Sequence, residues 1–262
     1  MKYNQIKSKE VSIGVGCQIH ESLEIHENAK VTIGDHCYLG PGIKILSGNF
    51  TLGDYSKIHD RVNINPKRHV NLGHLSWIGQ GSILDGTGGL VAGNYLGVGI
   101  NSCLYSHIRH GDIGEGCKYD LDKELTIEDD VWFVGMCLVS PVHVESKSVA
   151  FLGSTIVKKM EYNKVYAGNP AKDITNKVGE PWSSISVENK HLTMIKHIDD
   201  YSLINKNFDK EMIVVVGDDS EIKNDNRVYY NVSKRTFTKK NHKSEIEFNK
   251  WLFPYKFKFS PV

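Results

Sequence analysis

Apolar residues recur at steps of six along the first two thirds of the chain. The series runs Ile13, Ile19, Ile25, then Ile33, Leu39, Ile45, then Leu52, Ile58, Ile64, then Leu72, Ile78, Leu84. It continues as Ala92, Val98, Leu104, then Ile127, Phe133, Val139, then Val144, Ala150, Ile156. Two regularities ride on this frame. The residue after the aliphatic one is often glycine (Gly14, Gly34, Gly40, Gly53, Gly73, Gly79, Gly93, Gly99), and the residue four after it is small (Cys17, Ala29, Cys37, Ser56, Ser76, Ser82, Ser102, Cys137, Ser148, Ser154). A helix repeats its apolar positions every three or four residues and an exposed strand every two, so neither produces a six-step. A three-sided parallel coil does: each hexad supplies one short edge and a corner, and three edges make one circuit. The large residue fills the interior, the small one lets the next edge close, and glycine is expected to relieve the corner. Seven circuits at about 4.8 Å each predict a prism roughly 35 Å long.

The period breaks between Leu104 and Ile127, where the polar segment YSHIRHGDIGEGCKYDLDKELT intervenes. Insertions in repeat proteins become surface loops, commonly on the binding face, so residues 105–126 are the predicted active-site loop. Beyond about Trp182 the hexads cease. ENKHLTMIKHIDDYSLI has helical spacing, MIVVVG reads as a buried strand, RVYYNVSKRTFT as one longer strand and SEIEFNKWLF as a short helix. The expected organisation is therefore a coil domain over 1–181 and a small α/β appendage over 182–262.

Composition narrows the setting without changing this picture. The formal charge of +1 offers no global field for nucleic acid or an acidic membrane surface. No apolar run approaches a membrane span, and MKYNQIKSKE lacks the apolar stretch of a signal peptide, so a cytoplasmic location is expected. The five cysteines show neither CxxC pairs nor zinc-finger spacing, and three of them occupy the small position of the repeat, so no metal is predicted.

With DGTGG from Asp85, the histidines of the insertion, DDVWFVGMC from Asp129 and VYAGNPAKDI from Val165, residues 11–180 resemble the sugar O-acetyltransferase branch of the hexapeptide-repeat acyltransferases. That resemblance implies a left-handed sense for the β-helix, acetyl-CoA as co-substrate and active sites between the subunits of a homotrimer. It places the family's catalytic base on His107 and its tryptophan on Trp132, and makes the GNPAK segment part of the CoA site. The CoA-contacting set it implies is Trp132, Gly135, Gly153, Ser154, Lys158, Lys159, Asn169 and Lys172. The paired lysines at the end of the last circuit suit CoA phosphates by their charge.

Stacking in the proposed register places Asp85 and Thr87 beneath Tyr105 and His107, so Asp85 is a candidate to orient a histidine or hold a substrate hydroxyl. His110, three residues on, is the alternative base. The leading reaction is direct acetyl transfer: His107 takes the proton of a sugar hydroxyl as it attacks the thioester, and a backbone N–H stabilises the oxyanion. The acceptor class expected is a cell-surface or capsular polysaccharide or its precursor. Alternatives are N-acylation of a nucleotide-linked amino sugar, a γ-carbonic-anhydrase-like metal enzyme, and a non-catalytic scaffold.

Overall fold

In the computed structural model, residue 8, residues 10–254 and residues 256–262 are described. The N-terminal segment read above for a leader therefore lies largely outside the described residues. Each position of the six-step series faces its counterpart one circuit later. Ile33 pairs with both Ile13 and Leu52, Leu39 with Ile19 and Ile58, and Leu84 with Ile64 and Leu104, all in parallel register. The chain visits three sheets in strict rotation, so the sheets are the three faces of a parallel coil. Its interior is the aliphatic series itself, buried from Ile19 onward, with Ile13 partly buried at the first circuit. An eighth circuit begins beyond the expected seven: Met160 bridges to Val144, and Val165–Gly168 pairs with Val149–Ala150. Ala171–Asp173 then folds back antiparallel on Tyr166–Gly168, so GNPAK is a tight terminal hairpin.

The glycines serve a different purpose from the one expected. The left-handed corner lies three residues after the aliphatic one, where His36, Tyr55, Leu75 and Tyr95 have φ between 56° and 66°. Gly73, directly after Leu72, is instead required by stacking: a Cβ there would lie 2.5 Å from the Gly93 carbonyl oxygen of the next circuit. The small positions also do more than fill space. Ser56 Oγ donates to the Gly73 carbonyl (3.3 Å) and accepts from Ser76 N–H (3.0 Å), so the column of hydroxyls links successive circuits. Cys17 and Cys37 take the same place, donating to the carbonyls of Gly34 (3.1 Å) and Gly53 (3.3 Å). The neighbouring Cys37 thiol lowers the pKa of Cys17 to about 7, while the same proximity and then burial push Cys37 up.

The chain divides into two compact units, residues 1–182 and 183–262. In the second, helix Val187–Ile204 starts at Ser186, whose hydroxyl accepts from Asn189 N–H. A four-stranded mixed sheet in the order Ile213–Val216, Val228–Asn231, Thr236–Phe237, Ser260–Pro261 packs with helix Lys243–Leu252 around an aromatic core of Tyr230, Phe237, Phe248 and Phe259. The single long strand expected over RVYYNVSKRTFT is two antiparallel strands. Asn231 Oδ1 accepts from the N–H groups of Ser233 and Lys234 (3.0 Å each), and this side-chain turn ends the first strand. No helix among the described residues is long and apolar enough to cross a membrane.

Candidate active site

Through the first five circuits the extra residues collect at one corner, where the chain passes from the third face back to the first. The series steps from Ile64 to Leu72 and from Leu84 to Ala92 there, and the long insertion between Leu104 and Ile127 opens at the same corner. Asn65 and Asp85 each follow the aliphatic residue of the third face and pair in register, and Tyr105 stands in the same place one circuit on. The insertion is an antiparallel arm: His107–Arg109 pairs with Asp120–Asp122, and Arg109 clips the two strands by bonding Asp120 (2.6 Å) and Asp122 (2.8 Å). Its root is pinned by Lys123 N–H donating to the Ser106 carbonyl (3.0 Å).

This arrangement brings Asp85 and His107 together. His107 Nδ1 lies 2.7 Å from Asp85 Oδ2, with the imidazole 31% exposed and the carboxylate only 3%. An ionised carboxylate only accepts, so the proton between them sits on Nδ1, and it is Nε2 that carries the lone pair whenever the imidazole is neutral. Burial alone would push the Asp85 carboxyl up, but hydrogen bonds from His107, Thr87 and Ser106 outweigh it and hold the group below the usual aspartate range. Beside the imidazole lies an open cleft of about 280 Å³, lined by Tyr105, Ile108, Leu138, Ser140 and Thr155 among others. Tyr105 meets the His107 ring edge-on with centroids 6.4 Å apart. The site thus holds an oriented imidazole at the wall of a largely apolar cleft.

The other sequence-predicted residues are dispersed. His110 is exposed on the arm, and among the described residues no hydrogen bond joins it to His107 or Asp85. Trp132 projects from the second face, 49% exposed, with its ring over Gly97. Gly135 and Gly153 both have positive φ at the corner between the second and third faces, and Gly153 has open space where a Cβ would stand. Ser154 is buried, its hydroxyl donating to the Phe151 carbonyl (2.6 Å). Lys158 is exposed, whereas Lys159 is engaged by Glu145 at 2.5 Å. Asn169 and Lys172 are exposed on the terminal hairpin. Sequence reasoning did not select Asn65, Ser106 or Tyr105 as site residues. Asn65 had a signal, since it stands twenty residues before Asp85 in the same frame.

No family model matches the chain. Over 163 residues, 60% of this chain, it is 29% identical to the bifunctional protein GlmU of Clostridium novyi (strain NT). The chain spans only about 30% of that relative's length. Among solved structures, the polySia-specific acetyltransferase NeuO superposes with a TM-score of 0.53 at 20% identity, covering 73% of this chain and 94% of that one. The fold is that of the hexapeptide-repeat acyltransferases. The N-acyltransferase AntD of Bacillus cereus, solved with dTDP and coenzyme A, also aligns, at 11% identity, 74% and 91% coverage and a TM-score of 0.42.

Proposed function

We propose that this hexapeptide-repeat chain is an acetyl-CoA-dependent O-acetyltransferase that modifies a sugar hydroxyl, with His107 as general base. The observation that carries the reading is the 2.7 Å contact between His107 and the buried Asp85. Acetyl-CoA, when bound, supplies an activated acyl carbonyl. His107 Nε2 receives the acceptor's hydroxyl proton as the new C–O bond forms and returns it to the thiolate that leaves when the C–S bond breaks, and Asp85, already bonded at Nδ1, stabilises the imidazolium in between. Tyr105 and Leu138 give the cleft an apolar side against which a sugar ring or acyl methyl packs. The sugar acceptor is supported by the likeness of fold to an acetyltransferase whose name specifies polysialic acid.

Gly153, Lys158, Asn169 and Lys172 remain suited to the co-substrate, since the open backbone at Gly153 and the exposed polar groups of the others answer to pantetheine amides and phosphates, while Gly135 is closed in by Leu152 and Ile100. His107 and Trp132 stand on different faces of one chain, so we place the complete site between copies of a homotrimer with the left-handed sense of the family, acting in the cytoplasm.

The test is turnover of acetyl-CoA with free sugars and oligosialic acid as acceptors. His107→Ala is expected to lower kcat by roughly 10²–10⁴-fold, the usual worth of a positioned base, in a protein that stays folded though less stable, since the buried Asp85 loses one of its hydrogen bonds. Wild-type turnover by a folded His107→Ala protein overturns the mechanism, and loss of turnover in His110→Ala instead would move the role to that residue.

A further inference from the structure

The corner that presents His107 holds more polar groups than a base and its partner require. Asp85 is almost wholly enclosed, and a carboxylate in that position is tolerated only if its oxygens are satisfied. Oδ1 accepts from Thr87 Oγ1 (2.7 Å) and Asn65 Nδ2 (3.0 Å), and Oδ2 from Ser106 N–H (3.1 Å), Ser106 Oγ (3.0 Å) and His107. Asn65 Nδ2 also lies 3.3 Å from Thr87 Oγ1, which leaves the Thr87 hydroxyl proton to Asp85. Ser106 Oγ accepts from Gly88 N–H (2.9 Å) and is shared between the Asp85 carboxylate and its carbonyl (2.7 Å). Three successive circuits of the coil therefore converge on one carboxylate.

The donors other than His107 are all neutral. They hold the carboxylate in place and draw off part of its charge, while the one group able to neutralise it is the imidazolium. We propose that Asn65, Thr87 and Ser106 are positioning residues that set, through Asp85, the basicity of His107; this rests on the reading of His107 as the base. The other ionisable groups facing the imidazole are Tyr105 at the cleft wall, Asp122 opposite it in the arm with its carboxylate held by Arg109, and Lys123 at the arm's root. Tyr105 meets the His107 ring, Asp122 is its cross-strand partner and Lys123 bonds Ser106 through its backbone N–H, and among the described residues no hydrogen bond joins any of them to Asp85.

The direction of the effect separates a positioning role from a structural one. Removing a neutral donor from Oδ1 leaves more negative charge for the imidazolium, so the His107 titration moves to higher pH. Removing the charge itself, in Asp85→Asn, moves it to lower pH. The experiment is a ¹⁵N-histidine NMR titration of the full chain without ligands, with the His107 signals assigned by their loss in His107→Ala. Thr87→Val, which keeps the shape and deletes the hydroxyl, is expected to shift the midpoint upward by several tenths of a unit. Thr87→Ser is expected to restore the wild-type midpoint. Asn65→Leu makes the same test if Thr87→Val does not fold. A midpoint that is unchanged or lower in the hydroxyl-deleted variant overturns the proposal. Because that titration needs no turnover, its failure leaves the His107 mechanism standing. Full activity of His107→Ala would instead remove the mechanism.

Discussion

Asp85→Asn tests the geometry most directly, because one atom pair is exchanged inside a buried network. The amide keeps the size of the carboxylate but loses its charge, and its –NH₂ must face either the Asn65 and Thr87 donors or those of Ser106 and His107. A hydrogen bond to a charged group contributes about 1.5–3 kcal/mol, and the 2.7 Å bond to Nδ1 is strengthened as the imidazole gains its proton. That range corresponds to about a 10- to 150-fold loss in kcat. The misplaced donor adds a stability cost of about 1–3 kcal/mol. Initial rates of thiol release from acetyl-CoA and thermal unfolding measure the two effects. The folded Asp85 pKa lies below its unfolded value, so its stabilisation is present above the ordinary aspartate range and is lost as pH falls through the folded value. The variant should lack that acid limb. Wild-type kcat in a folded Asp85→Asn protein would refute the coupling of the pair.

Three further outcomes are expected. Gly73→Ala places a Cβ 2.5 Å from the Gly93 carbonyl oxygen and 2.8 Å from Asn94 N, backbone atoms that cannot swing aside, so it should lower stability by about 1–3 kcal/mol in denaturant unfolding, and an unchanged midpoint would count against stacking as the reason for this glycine. Lys158→Ala should raise the KM for acetyl-CoA more than that for its dephospho analogue, whereas Lys159→Ala should have the smaller effect because Glu145 already holds that ammonium; equal effects on both thioesters would remove a 3′-phosphate role. Glu245 is fully buried; burial raises its pKa despite hydrogen bonds from Lys240 and His242 N–H, and its Oε1 has no hydrogen-bond partner among the described residues. The folded unit therefore binds a proton that the unfolded chain releases, and its stability falls as pH rises from the ordinary glutamate value through the folded one. Hydrogen-exchange protection of helix Lys243–Leu252, corrected for intrinsic rate, should decline over that window in the wild type and stay level in Glu245→Gln.

The coil and its register were legible in the sequence because every circuit repeats the same demand. An interior one side chain wide accepts a large aliphatic at one place and a small residue at another, so Leu84 and Leu104 announce their pairing without any distant information. The same frame put Asp85 beneath the segment carrying His107. It did not decide which atoms meet, because His107 lies beyond the last regular position of its circuit and its direction depends on how the arm 107–122 leaves the corner. That is a matter of cross-strand pairing and of the Arg109 clip, which no periodicity encodes. The purpose of the glycines was hidden for a similar reason. A six-step shows where a small residue recurs, but only the stacked backbones show that Gly73 avoids the carbonyl of the next circuit, while Tyr55 and Leu75 carry the left-handed turn. The donors around Asp85 come from Asn65, Thr87 and Ser106, which are unremarkable as single letters. Local sequence determined the edges because each edge satisfies itself by repetition. The site was decided by tertiary structure, because a buried carboxylate must collect its partners from whichever circuits the stacking brings within hydrogen-bonding reach.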